Sequence, residues 1–307
     1  MKNILIAGGS GFIGKYLAQR LTDEGFRVSI LTRQKKKKPA GNTYFWNPLQ
    51  GLIDPESLKN QHIIINLSGV SIGDRLWTRK RKEAILNSRV QSTRLLAKSI
   101  IKEKIVPELF INISAIGYYG HRPGEILTEQ ARRGTGFLSR VCYEWERSVK
   151  SLSDTGIPYA IIRLGIVLGN GEGFLQKTLL PFKFGLNPVF STGAQPVPWI
   201  HIEDVFRIMY QLTEGKLPPG IYNGVAPDVI SQVDFNQTLM KVKKLKALPI
   251  HIPEKLLQIL IGEMANLFTC HQMVKPQKLL EQQFQYKFWE LSEALSVLFD
   301  KNHLNKR

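Results

Sequence analysis

Three glycines, Gly8, Gly11 and Gly14, stand between a short apolar run and an amphipathic stretch, and they constrain this chain more than any other feature. Asn3-Ile4-Leu5-Ile6-Ala7 reads as a strand, Ile13, Leu17 and Leu21 recur at helical spacing, and Val28-Ser29-Ile30-Leu31 reads as a second strand. The whole is a βαβ unit. Its G-x-x-G-x-x-G turn differs by one residue from the commoner G-x-G-x-x-G, and it lies where the backbone can approach a pyrophosphate held at a helix N-terminus. A tight turn with no ligand is the alternative; the complete βαβ context favours a dinucleotide.

Further apolar runs at Ile63 to Leu67, Leu109 to Ile113 and Tyr159 to Arg163 alternate with helical stretches near 78–104 and 134–152. Strands without polar alternation, separated by helices, imply a parallel sheet covered on both faces. The 307 residues, 43% of them hydrophobic, can bury a core of that size. After Gly165 glycines and prolines become frequent, Trp199 to Val205 reads as the start of another helix, and Gly220 to Val225 as a late strand. The expectation is an α/β protein: a Rossmann-type doubly wound parallel sheet (1–168 plus about 197–226) with a smaller C-terminal substrate lobe (about 169–196 plus 227–307).

The residues after the second strand choose between cofactors. Nineteen positions past Gly14, where an NAD-binding chain places an acid on the ribose 2′-hydroxyl, stand Thr32-Arg33, then Gln34 and four lysines; no carboxylate occurs between Glu24 and Asp54. An arginine there can pair with a 2′-phosphate and stack on adenine, so NADP(H) is expected. Lys35 to Lys38 add general attraction, and none is assigned a contact.

A balance of 42 Lys+Arg against 25 Asp+Glu, a net +17, raises nucleic acid as a partner. The basic clusters at 35–38, 79–82 and 241–246 do not interleave with aromatics, so a solvated basic surface is the simpler reading. No run is long and apolar enough to span a bilayer, and the opening apolar stretch is cut short by Gly8-Gly9-Ser10-Gly11 before a signal peptide could form, which leads us to expect a cytoplasmic protein without a membrane partner. Cys142 and Cys270 have no metal-ligand spacing, so no metal and no disulfide are expected.

The glycine turn, Asn66-Leu67-Ser68-Gly69 and Ser114-Ala115-Ile116-Gly117-Tyr118-Tyr119-Gly120 together resemble the extended short-chain dehydrogenase/reductases. With Arg75-Leu76-Trp77, Ser88-Arg89-Val90, Trp145-Glu146, Arg163 to Gly169, Trp199-Ile200-His201 and Gly262-Glu263-Met264, the chain resembles their atypical NADP-binding branch, labelled epimerase-family or sugar nucleotide epimerase-like proteins. The resemblance covers essentially the whole chain. It implies a Rossmann domain holding NADP and a substrate lobe closing over the nicotinamide end, but fold alone fixes no reaction. The expected cofactor contacts are Gly8, Ser10, Gly11, Phe12, Ile13, Gly14, Thr32 and Arg33, with Leu67, Ser68, Gly69 and Arg89 by resemblance.

The wider superfamily moves the hydroxyl proton with a Tyr and a Lys four residues later, helped by a Ser. Ser114 matches that serine. Aligning the family's helical Glu with Glu146 puts Cys142 at the Lys position and Leu138 at the Tyr position, so both side chains are missing; Tyr143 with Arg147 is one turn out of register. Tyr118 or Tyr119 is the candidate replacement acid, with packing beside the cofactor as the alternative. Arg75, Trp77, Trp199 and His201 are candidate substrate contacts, although in extended relatives the stretch around His201 is structural. Two functions follow: an NADP(H)-dependent oxidoreductase or epimerase acting on a carbonyl or sugar-nucleotide-like small molecule, or a non-catalytic NADP(H)-binding regulator or redox sensor. The sequence leaves a homodimer open.

Overall fold

β1 (Asn3–Ala7) runs straight into the glycine turn and α1 (Phe12–Asp23), which buries Leu17 and Leu21, and the chain returns in β2 (Arg27–Thr32). The computed structural model describes residues 1–34, 42–170 and 173–300. β3 (Thr43–Asn47) and β4 (Leu52–Ile53) precede β5 (Ile63–Asn66), α2 (Arg79–Lys102) and β6 (Leu109–Ala115). Thr78 starts α2 by accepting a hydrogen bond from the Arg81 N–H at 3.2 Å, which satisfies one of the first-turn donors. There follow β7 (Ile126–Leu127), α3 (Phe137–Arg147), β8 (Tyr159–Leu164), β9 (Ile166–Leu168), α4 (Phe174–Phe182), β10 (Leu186–Phe190), β11 (Trp199–His201), α5 (Ile202–Thr213) and β12 (Ile221–Gly224). The chain ends with α6 (Gln232–Lys243), β13 (Leu248–Ile252), α7 (Glu254–Ile261), α8 (Asn266–Thr269), β14 (Met273–Val274), α9 (Gln277–Glu281) and α10 (Leu291–Phe299).

Eight strands form one sheet in the order β12-β8-β6-β5-β1-β2-β3-β4, parallel at the β1–β2, β1–β5, β2–β3 and β5–β6 pairs, with β4 antiparallel to β3. Successive side chains in a strand point to opposite faces, and here both sets are buried. Leu5, Ala7, Ile64 and Phe110 pack with Leu96, Ala97 and Ile100 of α2. Their neighbours Ile4, Ile6, Ile63, Ile65 and Ile111 are buried too. Elsewhere α1 and α5 meet, where Arg20 lies 4.4 Å over the Phe206 ring. This is the doubly wound parallel sheet expected from the uninterrupted apolar strands. The order reverses at β1: β2 and β3 lie on one side, β5 and β6 on the other, which puts a ligand crevice at the carboxyl ends of β1 and β5.

By contacts the chain divides into two units, one of residues 1–118, 136–163 and 206–222, the other of 119–135, 164–205 and 223–307. In the second, Leu168, Trp199, Phe235, Phe288 and Leu295 share a core. Trp199 to His201 does not begin a helix as the sequence suggested. It is strand β11, paired in parallel with β9, and the helix starts at Ile202. All three of its residues are buried, so nothing in the hydrophobic pattern separates strand from helix there.

Candidate functional site

The glycine turn is built for close approach. Gly8 has φ +83, and a Cβ there would stand 2.9 Å from the Leu67 carbonyl carbon and oxygen. At Gly14 a Cβ would press into the Gly8 carbonyl oxygen and stand 2.6 Å from Gly9 Cα, so only glycine lets α1 begin this near the turn. Gly11, by contrast, is exposed and its Cβ would meet little, which leaves that side of the turn open. It is the N-cap of α1, without a side-chain cap and with no acid in the first turn, so the first N–H groups of the helix are offered outward beside Ser10, Phe12 and Ile13. Such an end suits a diphosphate.

Leu67, Ser68 and Gly69 close the other side. Asn66 at the end of β5 accepts the Ser68 N–H at 3.2 Å, and its amide donates to Thr93 Oγ1 and Asn112 Oδ1, both at 2.8 Å. Trp145 Nε1 adds a 3.0 Å bond to Thr93 Oγ1, so α2, α3 and two strands fix this loop from behind. The Ser68 hydroxyl is buried and has no partner among the described residues, so it fits a ligand oxygen. Gly69 is glycine because the Arg89 guanidinium passes 3.0 Å from where its Cβ would be. Arg89 donates to the Val70 and Ile85 carbonyls, each at 3.1 Å; burial draws it down to about 10, which leaves it charged at neutral pH. Thr32 Oγ1 accepts the Gln34 N–H at 3.2 Å, and Arg33 after β2 is exposed. Lys35 to Lys38 lie outside the described residues.

Ser114 sits two residues past Asn112, at the same end of the sheet. It is 1% exposed, and its hydroxyl donates to Glu146 Oε1 at 2.7 Å. Glu146 in turn accepts Nε and Nη2 of Arg163 at 2.9 and 2.8 Å, and the Arg163 guanidinium lies 3.5 Å from the centre of the Tyr118 ring. Two members of this chain, Glu146 and Arg163, were not among the residues singled out for chemistry. In this arrangement the Ser114 hydroxyl donates to Glu146, and its oxygen remains able to accept.

Leu138 and Cys142 pack against Gly117, where a Cβ would meet them at 3.2 and 3.6 Å. Burial, and then the Glu146 carboxylate, push the Cys142 thiol up to about 12, so it supplies neither base nor cation at neutral pH. Tyr119 is wholly buried and donates to Asn223 Oδ1 at 2.6 Å. Tyr118 is the half-buried tyrosine of the pair.

The substrate candidates separate. Trp199, with no exposure, belongs to the core of the second unit, and His201, 5% exposed, accepts the Glu203 N–H at Nδ1 and packs 4.0 Å from Phe288. Neither presents a surface to a small molecule. Trp77 donates to the Ile72 carbonyl at 2.8 Å with its ring edge against Phe137, and Arg75 is exposed. Among the described residues no group of three or more His, Cys, Asp or Glu could hold a metal, and no helix is long and apolar enough to cross a membrane.

Comparison with known proteins places this geometry in a family. Residues 4–223 match the NAD dependent epimerase/dehydratase family, and residues 252–298 match a domain of unknown function, DUF1731. The chain is 34% identical to the epimerase family protein YfhF of Bacillus subtilis over 298 residues, 96% of this chain and 97% of that one. It is 31% identical to the human epimerase family protein SDR39U1 over 299 residues, 96% and 99% of the two chains. The crystal structure of human SDR39U1 isoform 2 with NADPH matches at a TM-score of 0.85 and 29% identity, covering 99% of each chain. UDP-glucose 4-epimerase of Thermotoga maritima, with a TM-score of 0.77 at 18% identity over 96% and 97% of the chains, shares the fold. The chain therefore belongs to the NAD dependent epimerase/dehydratase family of extended short-chain dehydrogenase/reductases, alongside the SDR39U1-type epimerase family proteins.

Proposed function

We propose that this chain binds NADP(H) and acts as an oxidoreductase or epimerase-like protein on a carbonyl or sugar-nucleotide-like substrate. The uncapped N-terminus of α1 behind a glycine-rich turn, with the loop of the unsatisfied Ser68 hydroxyl packed against Gly8, is the observation that carries the reading. A human relative whose structure contains NADPH supports the phosphorylated cofactor, as does Arg33, with no acid in its neighbourhood of the sequence. Bound there, a nicotinamide cofactor supplies a hydride donor or acceptor. The chain's own part is to hold the diphosphate on the α1 N–H groups and Ser68, to pair Arg33 with the 2′-phosphate, and to present the Tyr118 hydroxyl to the substrate.

Fluorescence titration of nucleotide-stripped protein tests the cofactor. NADPH is expected to bind more tightly than NADH, and Arg33→Ala to weaken NADPH about 10- to 100-fold while leaving NADH unchanged, the worth of a charge-assisted pair. Binding of neither nucleotide would falsify the assignment.

The alignment on Glu146 that puts Leu138 and Cys142 at the positions of the usual pair supports a second reading, a non-catalytic NADP(H)-binding regulator. NADPH consumption across a panel of carbonyls and nucleotide sugars separates the two. If turnover is found, Tyr118→Phe is expected to lower it about 100-fold or more with NADPH affinity intact, as loss of a proton donor does; turnover indifferent to that change removes Tyr118 from the chemistry.

A further inference from the structure

In the second unit, β10 and β13 form a parallel ribbon in which Leu186 pairs with Leu248 and Pro188 with Ile250. One face turns inward: Asn187 and Val189 are buried, and the Asn236 amide donates to Asn187 Oδ1 at 2.7 Å. The alternate residues therefore point outward. Leu248 is 76% exposed, and Phe184, just before β10, is 73% exposed. α7 follows β13 after Pro253, buries Leu257 and leaves Ile259 81% exposed with Leu256 and Leu260 beside it on the helix. Side chains this exposed project from the surface instead of lining a groove, and the Leu186–Leu248 register pair with the Leu248 to Gly185 bond makes Phe184, Leu186 and Leu248 neighbours, which scattered surface apolar residues are not.

Along the ribbon and its flanks the charge is of one sign, while α7 carries one acid and one base, Glu254 and Lys255. Segments 173–190 and 237–253 carry six lysines and no carboxylate. Lys183 adjoins Phe184, and the exposed Lys244 and Lys246 lead into Leu248. A second copy brought face to face would set lysine against lysine. Strand addition is hindered as well: Leu248 N–H bonds inward to Gly185, so residues 249 and 251 face the free edge, and Pro249 has no N–H to give.

From these features we infer that this face docks peripherally on an anionic lipid surface. Phe184, Leu248 and Ile259 enter the boundary between headgroups and acyl chains, and the flanking lysines meet the anionic headgroups. The contact is independent of the proposed cofactor chemistry.

Vesicle flotation of the full chain tests it. At physiological ionic strength the protein is expected to float with phosphatidylcholine/phosphatidylglycerol vesicles and far less with phosphatidylcholine alone. Phe184→Ser with Leu248→Ser should lower the partition coefficient about tenfold or more with an unchanged melting temperature. Lys183→Gln with Lys246→Gln should lower it about tenfold on anionic vesicles only. No flotation of the wild type overturns the inference. So does an apolar variant that floats as the wild type does, which would leave net charge as the cause, and so does a dimer in velocity sedimentation that the apolar variant dissociates. Should the serine variant unfold, an environment-sensitive fluorophore on Ile259→Cys in a Cys270→Ser background reports instead: a blue shift on anionic vesicles supports insertion, an unshifted spectrum refutes it.

Discussion

Glu146→Ala is expected to cost the fold about 3–5 kcal/mol, seen as a lower urea midpoint with an unchanged slope. Glu146 and Arg163 are a bidentate pair with side chains only 10% and 3% exposed. Removing the carboxylate leaves a guanidinium in a region that cannot hydrate it, and also removes the acceptor of the Ser114 proton. Most of that cost is the stranded charge. Glu146→Leu combined with Arg163→Met should therefore be far less destabilised than Glu146→Ala, because shape is roughly kept and no unpaired ion remains. A single variant within about 1 kcal/mol of the wild type would mean that the pair is solvated and its geometry carries little energy.

Gly14→Ala should abolish high-affinity NADPH binding, lowering it about 100-fold or more, and destabilise the protein by about 1–3 kcal/mol through overpacking. The added methyl would meet backbone atoms of Gly8 and Gly9, which have no rotamer to change, so α1 must withdraw from the turn. Withdrawal carries the N–H groups that face the diphosphate away with it. Gly11→Ala is the matched control: its Cβ would meet only the Gly8 oxygen, at 3.4 Å, and the fold should keep its stability. Thermal melting of both variants reads the contrast in stability, and isothermal titration of Gly14→Ala reads the loss of affinity; equal losses of stability in the two variants would indicate that the turn matters through chain flexibility instead of close packing.

The glycine turn and the strand-helix rhythm were legible because they are local: each is written in spacings of three or four residues, and the sheet follows from strands that are apolar on both faces. The buried chemistry was less legible because its partners are remote in sequence. Arg163 was visible as a charge inside an apolar strand, which demands a partner, yet nothing local says that the partner is Glu146 or that Ser114 spends its proton there. Tyr118 and Tyr119 are adjacent and chemically identical, and only the fold assigns one to a cationic neighbour and the other to a buried amide. Trp199 and His201 looked like site residues because aromatic and titratable groups near prolines suit a cleft as well as they suit a core.

The interleaved segments of the two units set the order in which this chain can complete itself during synthesis. The first unit needs residues 206–222, and the second reaches back for 119–135. A ribosome that has made the glycine turn, β1 to β8 and the buried ion pair still holds a sheet without β12. The nucleotide half therefore waits on sequence that follows much of the other half, and a cut near residue 163 yields an unfinished sheet with an open edge in place of a smaller working protein.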